Sequence, residues 1–313
     1  MKICFIGLGS IGTRHLRNVT GILSERDVDF EIHALRSSNR LLLEDVRNLI
    51  NKEITSYDDL DDDYDITFIT NPTDKHYKTL KNILPKTKNI FIEKPLFMNT
   101  GIDPKSLHLN PSSVYYVAAP LRYNRVFATI EDFVKKNHVY SARAICSSYL
   151  PDWRKNIDYR KNYSARKDMG GGVSLDLIHE WDYLKHLFGM PNKLSYLKGT
   201  VSNLEIDSDD IAIYIAEYSD KLVELHLDYF GRRPVRKLDL FTDAGTFEAD
   251  FIKGTATFDN GTDVTSYPIP EQVDPYVKEM NYFLDLCSGT IKENQNDIYN
   301  AYDTLKLALG EIK

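Results

Sequence analysis

Cysteine is scarce in this 313-residue chain: Cys4, Cys146 and Cys287 are the only three, and no two form a CxxC pair. That spacing excludes a disulfide framework and a zinc-finger arrangement, and it fits a reducing compartment. Long apolar runs are missing too, since nothing approaches the roughly 20 residues of a membrane span. The opening MKICFIGLG breaks at Gly7, too early for a signal-peptide core, so a cytoplasmic location is expected. Positive charge is not in excess. Lys and Arg number 39 against 46 Asp and Glu, a formal charge of −7, so no nucleic-acid partner and no membrane partner are expected. There is no internal repeat and no low-complexity segment, and the acid-rich stretch Asp58–Asp65 reads as a solvated turn.

What remains is an ordinary globular composition, 42% hydrophobic and 27% charged, on a chain long enough for two domains. The first third alternates short apolar runs with helical spacing. Lys2–Ile6, Phe30–Leu35, Ile66–Thr70 and Asn89–Ile92 read as strands; Ile11–Leu23, Arg40–Asn51 and Lys75–Leu84 read as helices. Such alternation with short connections indicates a doubly wound parallel sheet in an α/β chain. After about residue 138 the texture changes. Tyr140–Tyr149, Lys193–Asn203, Ile211–Tyr218, Leu222–Phe230, Arg236–Thr242 and Thr246–Phe251 read as strands of a mainly antiparallel sheet, with one helix near 173–188 and helical stretches over 275–286 and 297–312.

Chemistry enters at Gly7-Leu8-Gly9-Ser10-Ile11-Gly12, which follows a strand and opens a helix. In a GxGxxG turn placed there, the first glycine permits the tight turn and the second lets backbone approach a pyrophosphate. The third allows close helix–strand packing, and Ser10 and Ile11 lie at the helix N-terminus that faces the anion. A turn that reads the ribose hydroxyls of NAD is expected to have an acidic residue at the end of strand two. Here the residues are Arg36, Ser37 and Ser38, whose guanidinium and hydroxyls suit a 2′-phosphate. NADP is therefore the expected cofactor, with NAD as the alternative, because an Arg can also stack on adenine.

Two further strand ends carry polar groups into the crevice where open α/β sheets bind ligands: Thr70-Asn71-Pro72-Thr73-Asp74-Lys75-His76, and Phe91-Ile92-Glu93-Lys94-Pro95-Leu96. With GLGSIG, the stretch Val117–Asn124 (VAAPLRYN) and the segment MGGGVSLDLIHEWDYL at 169–184, they make the chain resemble the glucose-fructose oxidoreductase / inositol dehydrogenase / rhizopine-catabolism (Gfo/Idh/MocA) family over nearly its whole length. The resemblance implies an N-terminal Rossmann domain, expected over 1–120, and a C-terminal α+β domain with an open antiparallel sheet over 121–313. The last helix either stays with the second domain or packs back on the first. It implies hydride transfer between a nicotinamide and a ring carbon of a sugar, nucleotide sugar or related polyol. Members of the family often form a homodimer or homotetramer through the C-terminal sheet. By the same resemblance Lys94 hydrogen-bonds the reacting oxygen, Glu93 contacts the nicotinamide-side ribose, Asn71 and Pro72 line the nicotinamide pocket, and His76 lies nearby.

The glycine run and DxxHxxD segment follow. Leu177, Ile178, Trp181, Leu184 and Phe188 share one helical face; Asp176, His179, Asp182, Tyr183 and His186 share the other. On the residues alone, that polar face reads first as a solvated surface. Three consecutive glycines are poor helix material and suit a place where backbone lies close to a ligand or another chain segment. Family members commonly place Asp and His four apart on this helix, with His as acid/base; here Asp176 and His179 are three apart. His179 is the expected acid/base and Lys94 its partner, while Asp176 either orients the imidazole or binds a substrate hydroxyl. Asp182 is left as support. A metal on His179, Asp182 and His186 is the competing reading, but no HExxH and no nearby Cys complete a set, so none is expected. Trp153, Arg154 and Arg160, with Arg122, form an aromatic and basic group suited to a sugar ring carrying phosphate or carboxylate. Two alternatives to a dehydrogenase use the same scaffold: nicotinamide-assisted glycoside hydrolysis or elimination, and a non-catalytic NAD(P)-binding regulator.

Overall fold

The computed structural model describes residues 1–37, 41–271 and 273–312. Two compact units emerge: Met1–Ala118 with Tyr276–Tyr302, and Ala119–Pro275 with Asp303–Lys313.

The first unit is built on six parallel strands, β1 (Lys2–Ile6), β2 (Glu31–Leu35), β3 (Lys52–Ile54), β4 (Tyr64–Ile69), β5 (Thr87–Ile92) and β6 (Tyr115–Val117), in the order β3-β2-β1-β4-β5-β6. Runs such as KICFI and ITFI suit parallel strands buried on both faces. Phe5 and Phe68 stack at 4.5 Å across the paired strands β1 and β4. The helix Ser10–Glu25 follows β1 and buries Leu16, Val19, Ile22 and Leu23 against this layer. Strand order reverses between β1 and β4, so the residues after Ile6 and Ile69 open at the topological switch point, where such sheets bind ligands. The helix expected over Arg40–Asn51 reduces to Glu44–Arg47, with Arg40 outside the described residues. β3 and β6, of three residues each, are too short to show a period in the sequence.

In the second unit eight strands form one sheet: β7 (Val139–Tyr149), β8 (Lys193–Gly199), β9 (Ile211–Glu217), β10 (Leu222–Asp228), β11 (Phe230–Thr242), β12 (Gly245–Asp250), β13 (Thr255–Asp259) and β14 (Val264–Ser266). Their order is β14-β13-β12-β11-β7-β10-β9-β8, antiparallel throughout except for the parallel pair β7–β10. β9 shows the alternation of a sheet with one buried face: Ala212, Tyr214 and Ala216 are buried, Ile213 and Ile215 exposed. The single helix expected near 173–188 is two helices, Val173–Asp176 and His179–Phe188, parted at Leu177. Its polar face is not solvated, contrary to the first reading of the residues. Asp176, Asp182 and Tyr183 are buried and His179 and His186 half-buried, and the two carboxylates meet partners from distant parts of the chain. No helix among the described residues is long and apolar enough to cross a membrane.

Candidate functional site

In the first unit the glycine turn behaves as its spacing demands. Gly7 has φ +95, and a Cβ there would lie 2.9 Å from the Asn71 backbone. A Cβ on Gly12 would lie 2.5 Å from the Gly7 carbonyl and 2.6 Å from Thr70 Oγ1. That hydroxyl donates to the Gly7 carbonyl at 2.6 Å, tying the end of β4 to the turn. Gly9 differs: a Cβ there would meet no atom of the protein within 4 Å. Gly9 is also the N-cap of the helix Ser10–Glu25, with no capping side chain. The N–H groups of Ser10, Ile11 and Gly12 lack intrahelical acceptors by geometry. An uncapped helix N-terminus beside an open glycine is what a pyrophosphate requires, and these residues fit a dinucleotide.

Strand ends β4 and β5 are pinned together nearby. Asn71 donates through Nδ2 to Thr79 Oγ1 at 2.7 Å, while its Oδ1 is buried without a hydrogen-bond partner. Pro72 beside it is exposed. His76 is buried, with Nε2 2.9 Å from the Asn71 carbonyl and Nδ1 3.0 Å from that of Pro95. Burial holds its pKa below the usual imidazole value. His76 thus holds the Asn71 loop and the loop after Lys94 to one ring. The Lys94-Pro95 peptide is cis, and Lys94 is half-buried. Glu93 is buried, its Oε1 against His15 Nε2 and its Oε2 accepting the Lys94 N–H at 3.2 Å. Burial alone would raise the Glu93 carboxyl, but the His15 hydrogen bond and the charges of His15, Lys94 and His76 outweigh it and hold it below its usual range. At the end of β2, Arg36 Nη1 lies 2.6 Å from Glu53 Oε2. Ser37 is exposed and Ser38 lies outside the described residues.

In the second unit the glycine run answers the question its sequence raised. A Cβ on Gly171 would lie 2.0 Å from the Tyr163 carbonyl, and one on Gly172 (φ +119) 2.3 Å from Asp209 Oδ1. The close neighbour is another chain segment. Asp209 Oδ2 accepts from the Ser174 N–H at 3.0 Å and from its hydroxyl at 2.6 Å, capping the first short helix from outside. Asp176, 4% exposed, accepts the Tyr229 hydroxyl at 2.6 Å. Burial with the negative charge of Asp176 nearby pushes the Tyr163 and Tyr229 phenols well above their ordinary pKa. Trp153 meets Tyr229 edge-on at 5.2 Å and donates from Nε1 to Ser148 Oγ at 2.9 Å. The exposed Arg154 is near enough for its charge to act on Tyr163. His179 opens the second helix, half-buried, three residues after Asp176.

Trp153, Asp176 and Tyr229 therefore converge, with Tyr163 close by, while two of the expected arginines are engaged elsewhere. Arg122 makes a bidentate pair with Asp182, Nε–Oδ2 2.9 Å and Nη2–Oδ1 2.7 Å. Arg160 is held by Asp158 and Glu205. His186 accepts from Arg122 at Nδ1 and so donates from Nε2 to Glu131 at 2.8 Å. Asp182 and His186 are thus engaged with Arg122 and Glu131, and among the described residues no three His, Cys, Asp or Glu side chains group as a metal would need. Sequence reasoning passed over His15, Glu53, Asp209 and Tyr229. Nothing local marks Tyr229 among 20 tyrosines, or Glu53 in a three-residue strand.

Residues 1–102 match a family model described as oxidoreductase family, NAD-binding Rossmann fold, Gfo/Idh/MocA. No curated protein matches the sequence. Among solved structures, UDP-N-acetylglucosamine 3-dehydrogenase GnnA from Acidithiobacillus ferrooxidans is similar at TM-score 0.74 and 17% identity, covering 99% of this chain and 96% of that one. Levoglucosan dehydrogenase in complex with NADH and levoglucosan gives TM-score 0.78 and 14% identity over 99% of this chain and 95% of that one. Biliverdin reductase from Synechocystis sp. PCC 6803, in complex with biliverdin and NADP+, gives 0.79 and 15% over 98% and 96%. At such identities the likeness is one of fold, and it extends through both units. The match to the Gfo/Idh/MocA oxidoreductase model covers residues 1–102, the part of this chain that carries the parallel sheet and the glycine turn.

Proposed function

We propose that the chain is an NAD(P)-dependent oxidoreductase acting on CH–OH groups, with a sugar, nucleotide sugar or related polyol as substrate. The observation that carries this reading is the open, uncapped Gly9 turn in the same unit as Lys94 at the end of β5. The nicotinamide dinucleotide, when bound, supplies the hydride acceptor or donor. The chain's own residues then have to manage one proton and one developing charge on the substrate oxygen. Lys94 is the cation for that oxygen, and His179 is the group that takes or returns the proton, its ordinary pKa being near neutrality. Asp176, with its carboxylate held by the Tyr229 hydroxyl, has a restricted set of orientations toward a substrate hydroxyl or an imidazole. Glu93 and Asn71 serve the nicotinamide-side ribose and ring, and Arg36 supports NADPH as the finer choice of nucleotide. Trp153 and Arg154 suit a sugar bearing an anionic group. That GnnA and levoglucosan dehydrogenase are named for sugar substrates supports the substrate class. The biliverdin reductase shows that the fold also carries another one.

The test is a panel of sugars, nucleotide sugars and acidic sugars, followed at the nicotinamide absorbance band with each of the four nucleotide forms. Turnover of at least one sugar class is expected, abolished in Lys94→Ala and His179→Ala, with dinucleotide binding retained in His179→Ala. Full activity in both variants, or no binding of any nicotinamide dinucleotide to the native chain, overturns the reading. Product formed without net change in nicotinamide absorbance identifies hydrolysis or elimination by transient oxidation instead.

A further inference from the structure

We propose that Glu53 sets how strongly the adenosine end of the nucleotide site accepts a 2′-phosphate. The inference rests on the dinucleotide reading above and adds a residue that the sequence pattern does not reveal. In a βαβ nucleotide fold the end of the second strand faces the adenosine ribose: a carboxylate there accepts from the 2′-hydroxyl, and an arginine there accommodates a 2′-phosphate. This chain holds both groups at that place. Arg36 follows β2, and its N–H donates to the Ile54 carbonyl at 2.9 Å. β2 and β3 pair in parallel with Ala34 opposite Glu53 and Leu35 opposite Ile54. Strand register therefore delivers the Glu53 carboxylate to the Arg36 guanidinium, Oε2 to Nη1 at 2.6 Å.

Exposure assigns the two members different parts. The Arg36 side chain is 12% exposed and that of Glu53 43%, so the guanidinium is packed in place and the carboxylate forms its rim. Together they carry no net charge. A 2′-phosphate, bearing close to two negative charges, meets a guanidinium already shared with a carboxylate, and it meets that carboxylate's repulsion at a partly shielded position. A ribose 2′-hydroxyl meets no such penalty, because it can donate to the same carboxylate. Glu53 thus weakens NADPH binding selectively, and Arg36 keeps it possible.

Fluorescence titration with NADPH and NADH, at one fixed ionic strength, tests this on the native chain, Glu53→Gln and Arg36→Gln/Glu53→Gln. Adenosine 2′,5′-bisphosphate and 5′-AMP serve as competitors that read the adenosine end alone. Glu53→Gln is expected to bind NADPH and the 2′,5′-bisphosphate about tenfold tighter, with NADH and 5′-AMP no tighter than in the native chain. The double variant loses that gain. An unchanged NADPH-to-NADH ratio in Glu53→Gln, or a gain that persists without Arg36, overturns the proposal while leaving the dinucleotide reading intact. Native chain that binds none of the four probes overturns both. Circular dichroism of each variant checks that the edge strand still folds.

Discussion

A carboxylate taken out of water needs its lost hydrogen bonds replaced by the protein, and the second unit does this with different groups. Asp176 uses a phenol, the half-buried Asp209 uses the first turn of a helix, and Asp182 uses a guanidinium. The third case separates a structural role from a substrate role. The side chains of Arg122 and Asp182 are 5% and 8% exposed, and both carboxylate oxygens are bonded. Such a pair adds little over a well-packed apolar pair, yet removing one member leaves a buried charge without its counterion. Arg122→Ala is expected to lose about 3–5 kcal/mol of stability in urea unfolding, and Arg122→Met/Asp182→Leu to recover most of it. If Arg122 instead serves the substrate alone, Arg122→Ala unfolds at the native midpoint and only KM rises. Glu180 is the contrast, fully buried with Arg236 Nη2 at 2.9 Å but with neither carboxylate oxygen hydrogen-bonded, and burial raises its carboxyl above the usual range.

Glycines separate folding from binding at the scale of single elements. In the β1–helix turn, Gly7 and Gly12 are required by the chain's own atoms, and Gly9 is not. In the second unit Gly171 is again required by the chain, against the Tyr163 carbonyl. Gly9→Ala, at an ordinary φ of −72, should cost no more than about 1 kcal/mol of stability while weakening dinucleotide binding severalfold. Gly171→Ala should cost roughly 1–3 kcal/mol or more with no direct effect on the nucleotide; thermal unfolding and fluorescence titration of both variants check the contrast. Equal loss of stability in the two would remove the assignment of Gly9 to a ligand. The same distinction explains what the sequence shows and what it hides. Strands such as KICFI and NIFI and the turn between β1 and its helix are local, and their periodicity and spacing are legible. Lys94 is legible for the same reason, since its place follows from the end of one strand. Strands of three residues carry no period, and no glycine or proline at Leu177 marks the break there. The polar face of 176–186 misled because its partners, Tyr229, Arg236 and Arg122, lie 53, 56 and 60 residues from Asp176, Glu180 and Asp182. A single sequence contains no signal for such pairings.

Whole-chain properties pose the question of self-association. A net charge of −7 opposes association only weakly on a chain of this size, so the surface pattern decides. Cross-strand register places Leu197 opposite Ile213, Ser195 opposite Ile215, and Leu222 opposite Glu217. Leu197, Ile213, Ile215 and Leu222 therefore project from one face of β8, β9 and β10, the face opposite to Ala212, Tyr214 and Ala216. They are 80%, 37%, 43% and 50% exposed, an apolar stripe on an ordered sheet that is expected to serve as an association surface. The ion pair Arg143–Glu224 flanks it at 2.6 Å on the same face, giving a polar border. A second copy of the chain supplies the same stripe and the same pair, and a two-fold contact matches each to itself. Sedimentation velocity of the native chain is expected to show a dimer or tetramer. Leu197→Glu/Ile213→Glu places two like charges in the stripe of each copy and should sediment as a monomer with an unchanged circular dichroism spectrum. Because both residues are solvent-facing within the chain, their replacement should alter folding stability by no more than about 1 kcal/mol, so dissociation is separable from unfolding. A native chain that stays monomeric at the concentrations used would assign the stripe to something other than a second copy. A double variant that keeps the native oligomer would move the interface to another face of the chain.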